Sequence, residues 1–417
     1  MSGLPNNNSF QHQNRILVRD AHPFLCFAFY VFIFFIPFET LNIGPGFGNF
    51  TLSKLFGFIF LGLACLQPRV CFQPPKPAFF YFAVYLLVYV ILGMIQEERF
   101  ERSIILYFVT FLQLLVLFWV SQNLMINEGI TKRALLIFGI SCFCLALLVL
   151  SGVLRTEIAQ NRVTAAGLNA NSYAALLSLG LLALIGLAGN QRITNYKIRG
   201  FAWFSFSVLA VAIVQSGSRS SMAALLVAFC VLMFKGRGLK VNPKVLLVLL
   251  LAIGFIVAVI YQSEAVRVRW ERTIMEGGTS GRGKIHSRAM DMFVEKPLQG
   301  WGPTKHYFEL GSRVGKPTRD PHSIYFWVLL EVGLLGAIPF FVGLALVFRG
   351  AWKARSGVYG QQPLAMLLFI LLISFHHSYH QGKVFWLVLA YAVASESLVR
   401  SPERVKRFSK PSVAASP

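Results

Sequence analysis

About twelve apolar runs, each near the length of a membrane crossing, limit what this chain can fold into. They lie near residues 22–38, 50–66, 78–95, 103–121, 134–151, 171–189, 201–216, 220–234, 245–262, 324–348, 363–380 and 384–399. A helix rises about 1.5 Å per residue, so roughly 20 apolar residues cross a bilayer core. Backbone groups in that core must satisfy one another, which leaves helices as the solution for runs of this length. With 56% hydrophobic residues among 417, the chain reads as an all-α polytopic membrane protein of about 12 transmembrane helices. The two runs around Ser216 are short, and tilt or breakage is expected there. Pro37-Phe38-Glu39 ends the first run without a small-residue cleavage site, so an uncleaved anchor is expected.

Charge sets the expected orientation, because short basic connections stay inside. With the amino terminus inside, the inside connections carry Arg15 and Arg19, Arg69 and Lys76, Lys132 and Arg133, and then Arg192, Lys197 and Arg199. Further along come Lys235, Arg237, Lys240 and Lys244, then Arg349, Lys353 and Arg355, and finally a basic tail. The short outside turns carry few basic residues, and Arg99 and Arg102 are offset by acidic neighbours. Most of the net charge of +22 is therefore membrane topology, and no nucleic-acid partner is expected. The expected organisation is an inside tail over 1–21, helices one to nine over 22–262, an outside loop over 263–322, helices ten to twelve over 323–399, and an inside basic tail over 400–417.

The outside loop is the exception to that pattern. It carries Arg267, Arg269, Arg272, Arg282, Lys284, Arg288, Lys296, Lys305, Arg313, Lys316 and Arg319 where basic residues are scarce, so an anionic ligand is expected. Arg219, in the turn Ser216-Gly217-Ser218-Arg219-Ser220-Ser221, is costly at the tip of two membrane helices. Its small neighbours would let backbone N–H groups form an anion cradle beside the guanidinium. Arg282 and Arg288 lie six apart, so one is expected to face ligand and the other lipid headgroups or a carboxylate such as Asp291. His322 follows Asp320-Pro321; with Asp320 as N-cap and Pro321 opening the helix, the histidine falls in the first turn. There the ring is held neutral and suited to general-base work.

Other signals are weaker. His376 and His380 share a helix face if that helix continues, a poor metal site without carboxylates, and no metal or cofactor is expected. Glu331 is a candidate buried partner for a neighbouring helix. The six cysteines avoid the long loop and show no CxxC spacing, so they read as small apolar residues. No P-loop, GxSxG or DxD motif occurs.

Several of these segments, taken in order, resemble the O-antigen ligase and polymerase superfamily. Ser216-Gly217-Ser218-Arg219 is similar to its "[ST]GSR" turn, and Arg282 through Pro297-Leu298-Gln299-Gly300-Trp301-Gly302 to its "R…PLxGxG" segment. Asp320-Pro321-His322-Ser323-Ile324-Tyr325 and Glu331-Val332-Gly333-Leu334-Leu335-Gly336 resemble its "PHNxyl…ExGxxG" block. Arg162 through Asn171 resembles its "R…GxxxNxxA" element. Two departures stand out: Ser323 replaces the usual Asn, and His286 sits where Trp is common.

The resemblance implies a GT-C-like fold in the bacterial inner membrane, with a periplasmic active site and both termini cytoplasmic. It implies transfer of a polysaccharide from undecaprenyl diphosphate to a sugar hydroxyl of lipid A-core, in lipopolysaccharide biosynthesis. The expected roles are His322 as base and Arg219 and Arg282 as the diphosphate clamp, assisted by Arg288 and Arg162. Asn169, Asn171, Trp301, His376 and His380 are possible substrate contacts. An inverting displacement of this kind needs no metal, because arginines stabilise a diphosphate leaving group. One alternative is an O-antigen polymerase of the same superfamily. A lipid-linked oligosaccharide flippase is the alternative from another class, although charges are sparse within the spans and no internal repeat is evident.

Overall fold

A computed structural model describes residues 21–41, 50–96, 102–158, 162–165, 167–190, 195–234, 250, 254 and 282–399. Helices coincide with the expected apolar runs, apart from the run at 245–262, which lies outside the described residues except for 250 and 254. They are α1 (Pro23–Phe35), α2 (Leu52–Cys65), the short α3 (Pro68–Cys71), α4 (Pro77–Gln96), α5 (Arg102–Leu124) and α6 (Glu128–Leu150). After a hairpin come α7 (Ala170–Gly189), α8 (Tyr196–Gln215) and α9 (Arg219–Met233). The amphipathic α10 (Arg282–Glu295) and α11 (Lys305–Arg313) precede α12 (Ile324–Ala354), α13 (Gln362–Ile373) and α14 (Lys383–Val399). Among the described residues, 6 helices are long and apolar enough to cross a membrane. One of them is α8, which is a full 20 residues and not the short run expected.

The all-α expectation needs one correction. Strands β1 (Arg155–Ile158) and β2 (Arg162–Ala165) form a small antiparallel hairpin, with Arg155 opposite Ala165 and Thr156 opposite Thr164. Val163, Thr164 and Ala165 are buried against the bundle. This segment is too short to cross a bilayer and pairs its own backbone instead.

The bundle core is built where α12 packs on α4 and α14, α6 on α7, α7 on α8, and α9 on α13. α7 is buried almost all round and is the central element. Small residues permit the tight contacts: a Cβ on Gly180 would stand 2.4 Å from the Cβ of Cys142, and one on Gly139 2.4 Å from Leu184. Close backbone approach of this kind replaces the hydrophobic drive that is missing between helices in lipid. Glu331 is buried on α12, accepting from the Tyr85 hydroxyl of α4 at 2.9 Å and from Trp327 Nε1 at 3.3 Å. The partner helix anticipated for Glu331 is therefore α4.

The motif glycines have an architectural use. α12 breaks at Gly333, whose φ is 57°. The loop after α10 inserts its backbone into that break. Trp301 N donates to Leu330 O at 2.7 Å and Gly302 N to Glu331 O at 3.1 Å. In return Leu334 N donates to Pro297 O at 2.8 Å and Leu335 N to Leu298 O at 3.0 Å. A Cβ on Gly300 would sit 2.6 Å from Leu330 O, and one on Gly333 2.3 Å from Leu298 O. Irregular backbone within a membrane helix persists only where protein satisfies it, and here the loop does so. This clasp holds α10 and α11 over the start of α12.

Candidate active site

Four polar segments meet at one end of the bundle: the starts of α7, α9 and α12, and the turn after α13. α10 lies across them. The α8–α9 turn is pinned from the side by Arg162, whose Nε donates to Ser216 O at 2.9 Å and whose Nη2 donates to Asn171 Oδ1 at 2.9 Å. Asn169 caps α7 by accepting from Asn171 N at 2.9 Å. Arg162, Asn169 and Asn171 thus build a joint between the hairpin, α7 and the turn bearing Arg219. The expected backbone cradle is narrower than the sequence suggests, since Gly217 N is taken by Val214 O at 2.9 Å and Ser218 N by Ser216 Oγ at 3.2 Å. The start of α9 remains, because Ser218 is its N-cap but makes no side-chain capping bond.

The conformation of His322 corrects the helix-start reading. α12 begins at Ile324 with Ser323 as N-cap, so His322 lies before the helix. Its φ of 53° is the only positive value of a non-glycine residue among the described residues. Left-handed backbone at such a residue costs on the order of 1–3 kcal/mol and must be held by its surroundings. Asp320 holds it, not as a helix cap but through an Asx turn: Oδ1 accepts from His322 N at 2.5 Å and from Ser378 Oγ at 3.1 Å. From above, His286 Nε2 donates to Pro321 O at 3.2 Å, which assigns the proton to Nε2 of His286. His322 Nδ1 lies 3.8 Å from Asp320 Oδ1, and the ring is 29% exposed.

Arg282 opens α10 while Ile285, Ala289 and Met292, one turn apart and beyond, bury the helix's lower face. Burial, followed by the positive charges of Arg219 and Arg319, draws the Arg282 guanidinium down from its ordinary value, and Asp320 opposes them. Guanidinium groups stay charged regardless, so three like charges converge near a single carboxylate. Burial likewise holds the His322 imidazole below its usual range; Asp320 resists this, while Arg319, Arg282 and His286 add to it. The ring is accordingly neutral at neutral pH. His377 is lowered to about 4, mainly by burial, and its Nε2 is 2.6 Å from Ser172 Oγ on α7.

The expected site residues therefore separate into two sets. Arg219, Arg282 and His322 come together, with Arg162 bracing the turn below. Arg288 turns to the exposed side of α10 and pairs with Asp291 at 3.2 Å, since six residues place it about 240° around the helix from Arg282. Trp301 serves as a brace: its Nε1 donates to Met292 O at 2.8 Å, and Lys296 Nζ lies 4.0 Å above its ring. His376 and His380 do not share a helix face, because α13 ends at Ile373. His376 is exposed at the rim, within reach of the Arg282 charge. His380 is fully buried between Phe111 and Trp327, at ring distances of 5.4 and 5.3 Å, and burial lowers it to about 3.

Sequence reasoning named Arg319 only among the loop's basic residues and did not join His286, His377 or Ser378 to the cluster. Arg319 stands three residues before His322, a nearness that was readable. No spacing rule connects His286 or His377 with it.

Residues 204–341 match the sequence model of a family described as O-antigen ligase, Wzy_C. That span contains Arg219, Arg282, His322 and both halves of the Gly300–Gly333 clasp. The chain is also 28% identical over 153 residues to a Pseudomonas aeruginosa protein described as an O-antigen ligase. That similarity covers 36% of this chain and 35% of the relative, about a third of each. The motif resemblance to the O-antigen ligase and polymerase superfamily is thus supported independently.

Proposed function

We propose that this chain transfers a polysaccharide from undecaprenyl diphosphate to a sugar hydroxyl of lipid A-core, at the periplasmic face of the bacterial inner membrane. The carrying observation is the convergence of Arg219, Arg282 and Arg319 beside a neutral, Asx-held His322. In this mechanism His322 carries its proton on Nδ1, 3.8 Å from Asp320 Oδ1, and receives the acceptor proton on Nε2. As that proton leaves, the acceptor oxygen bonds to the anomeric carbon and the bond from that carbon to the diphosphate oxygen breaks. The electron pair stays on the diphosphate, where arginines stabilise the growing charge. Displacement in one step inverts the anomeric centre, and the imidazolium then loses its proton to water.

In this reading the chain has twelve spans and inside termini, and the described basic residues Arg69, Lys76, Lys132, Arg133, Lys197, Arg199, Arg349, Lys353 and Arg355 belong to helix ends opposite the cluster. The test is transfer in vitro with purified donor and lipid A-core, comparing wild type with Arg219→Ala and His322→Ala. Loss in both variants is expected, and full activity in both would refute the assignment. Elongation of lipid-linked repeats without attachment to lipid A-core would identify a polymerase instead.

A further inference from the structure

At the same end of the bundle, away from the arginines, a cavity of about 90 Å³ opens sideways between α2 and α5. Its lining is stratified. Lys54, in the first turn of α2, and Lys383, at the start of α14, stand at the rim, where Lys383 is ion-paired with Glu39. Gln381, two residues before Lys383, and Thr110 and Gln113, on α5, also line it. Its apolar wall is Phe32, Leu61, Leu114 and Leu117, with Leu61 two turns beyond Lys54 and Leu117 one turn beyond Gln113, and Phe58 is 49% exposed. Gln113 lies eleven residues into α5, about 16 Å below the helix start. An amide at that depth is costly unless something polar meets it. Among the described residues, no side-chain hydrogen bond engages it.

Along the helices, the order of cation, hydrogen-bonding amide and hydroxyl, then apolar wall follows the build of an acyl lipid: anionic head, ester or amide linkage, chain. The cleft is linked in sequence to the arginine–histidine cluster. Gln381 and Lys383 line it, while His377 and Ser378, only a few residues earlier, contact Ser172 and Asp320. We infer that this cleft binds a phosphate-bearing acyl lipid, with the phosphate at Lys54 and Lys383, the ester or amide linkage at Gln113, and one chain against Leu114 and Leu117. The inference concerns binding and does not depend on the transfer reaction.

The experiment uses the full-length protein in mild detergent, incubated separately with dioleoyl phosphatidylglycerol, a phosphorylated hexa-acyl glycolipid, or uncharged diolein. Lipid retained after gel filtration is counted by native mass spectrometry. Wild type is expected to retain phosphate-bearing lipid and to lose diolein. Lys54→Gln is expected to lower retention about fivefold, the worth of one lysine at an anionic lipid surface. Leu117→Trp, which adds bulk at the apolar wall, is expected to abolish it at an unchanged melting temperature. Should that variant unfold, Gln113→Leu removes the polar middle without added bulk and is expected to reduce retention too. Preference for the glycolipid would make the cleft an anchor for a transfer substrate, and preference for phosphatidylglycerol would make it a resident-lipid site; both support the inference. Equal retention of diolein, or undiminished retention in Lys54→Gln and in whichever cleft variant folds, would overturn it.

Discussion

Two regions drawn from the same motif-bearing segments solve opposite problems. The clasp around Gly300 and Gly333 is made of backbone hydrogen bonds between a loop and a broken helix, with no room for a side chain. The cluster at the bundle end is made of charged side chains on turns, with His322 held in a left-handed conformation and like charges gathered around it. The clasp satisfies its polar groups internally, whereas the cluster gathers an excess of positive charge around one carboxylate. The contrast shows that one sequence pattern mixes scaffold with chemistry: glycines of "PLxGxG" and "ExGxxG" build the clasp, and the arginines and histidine are the groups to which the proposed function gives the chemistry.

The most damaging change to the cluster is expected from combining Arg219→Ala with Arg282→Ala. Transfer should fall by at least about 10³-fold, a loss comparable to that of electrostatic donors elsewhere, while the melting temperature stays near wild type. Gly333→Ala should do the reverse. A methyl group meeting Leu298 O at a φ of 57° is expected to cost about 3 kcal/mol or more, seen as a lower unfolding midpoint. If instead it left stability intact and removed only activity, the division between clasp and cluster would fail.

How far this division could be read beforehand varies by residue. The helices were legible because their apolar runs match the bilayer, and Arg219, Arg282 and His322 stood out as polar groups at helix ends. The clasp was not legible, since its partners Leu298 and Gly333 are joined only through the fold. Nor was the Asx turn: Asp-Pro-His reads equally well as a helix start, and only the contact from Ser378 and the position of Ser323 decide between the two. His380 misled because periodicity was extended past Ile373, where α13 actually stops. Arg288 was correctly placed on a different face from Arg282, yet was still counted among the phosphate ligands.

A finer comparison concerns the proton. The proposed base role requires a neutral His322, and beyond the lowering by burial Asp320 raises its pKa while Arg319 lowers it. Asp320→Asn keeps an oxygen for the turn but removes that charge, so the pKa falls and the acid limb of the pH–rate profile moves to lower pH. Arg319→Gln removes a lowering influence, so the limb moves to higher pH. Profiles of kcat/KM between about pH 5 and 8 check both directions. The smallest effect is expected at Arg288, whose exposed pairing with Asp291 contributes at most about 1 kcal/mol. Arg288→Ala should leave transfer within about twofold of wild type, measured in the same assay.

The central claim is that the arginines hold the lipid diphosphate while His322 takes the acceptor proton. It is tested most directly by measuring donor binding and single-turnover transfer on His322→Asn side by side. The account predicts undiminished binding of the undecaprenyl-diphosphate donor with transfer slowed by about 10²–10⁴-fold. Transfer at the wild-type rate by that variant would contradict it.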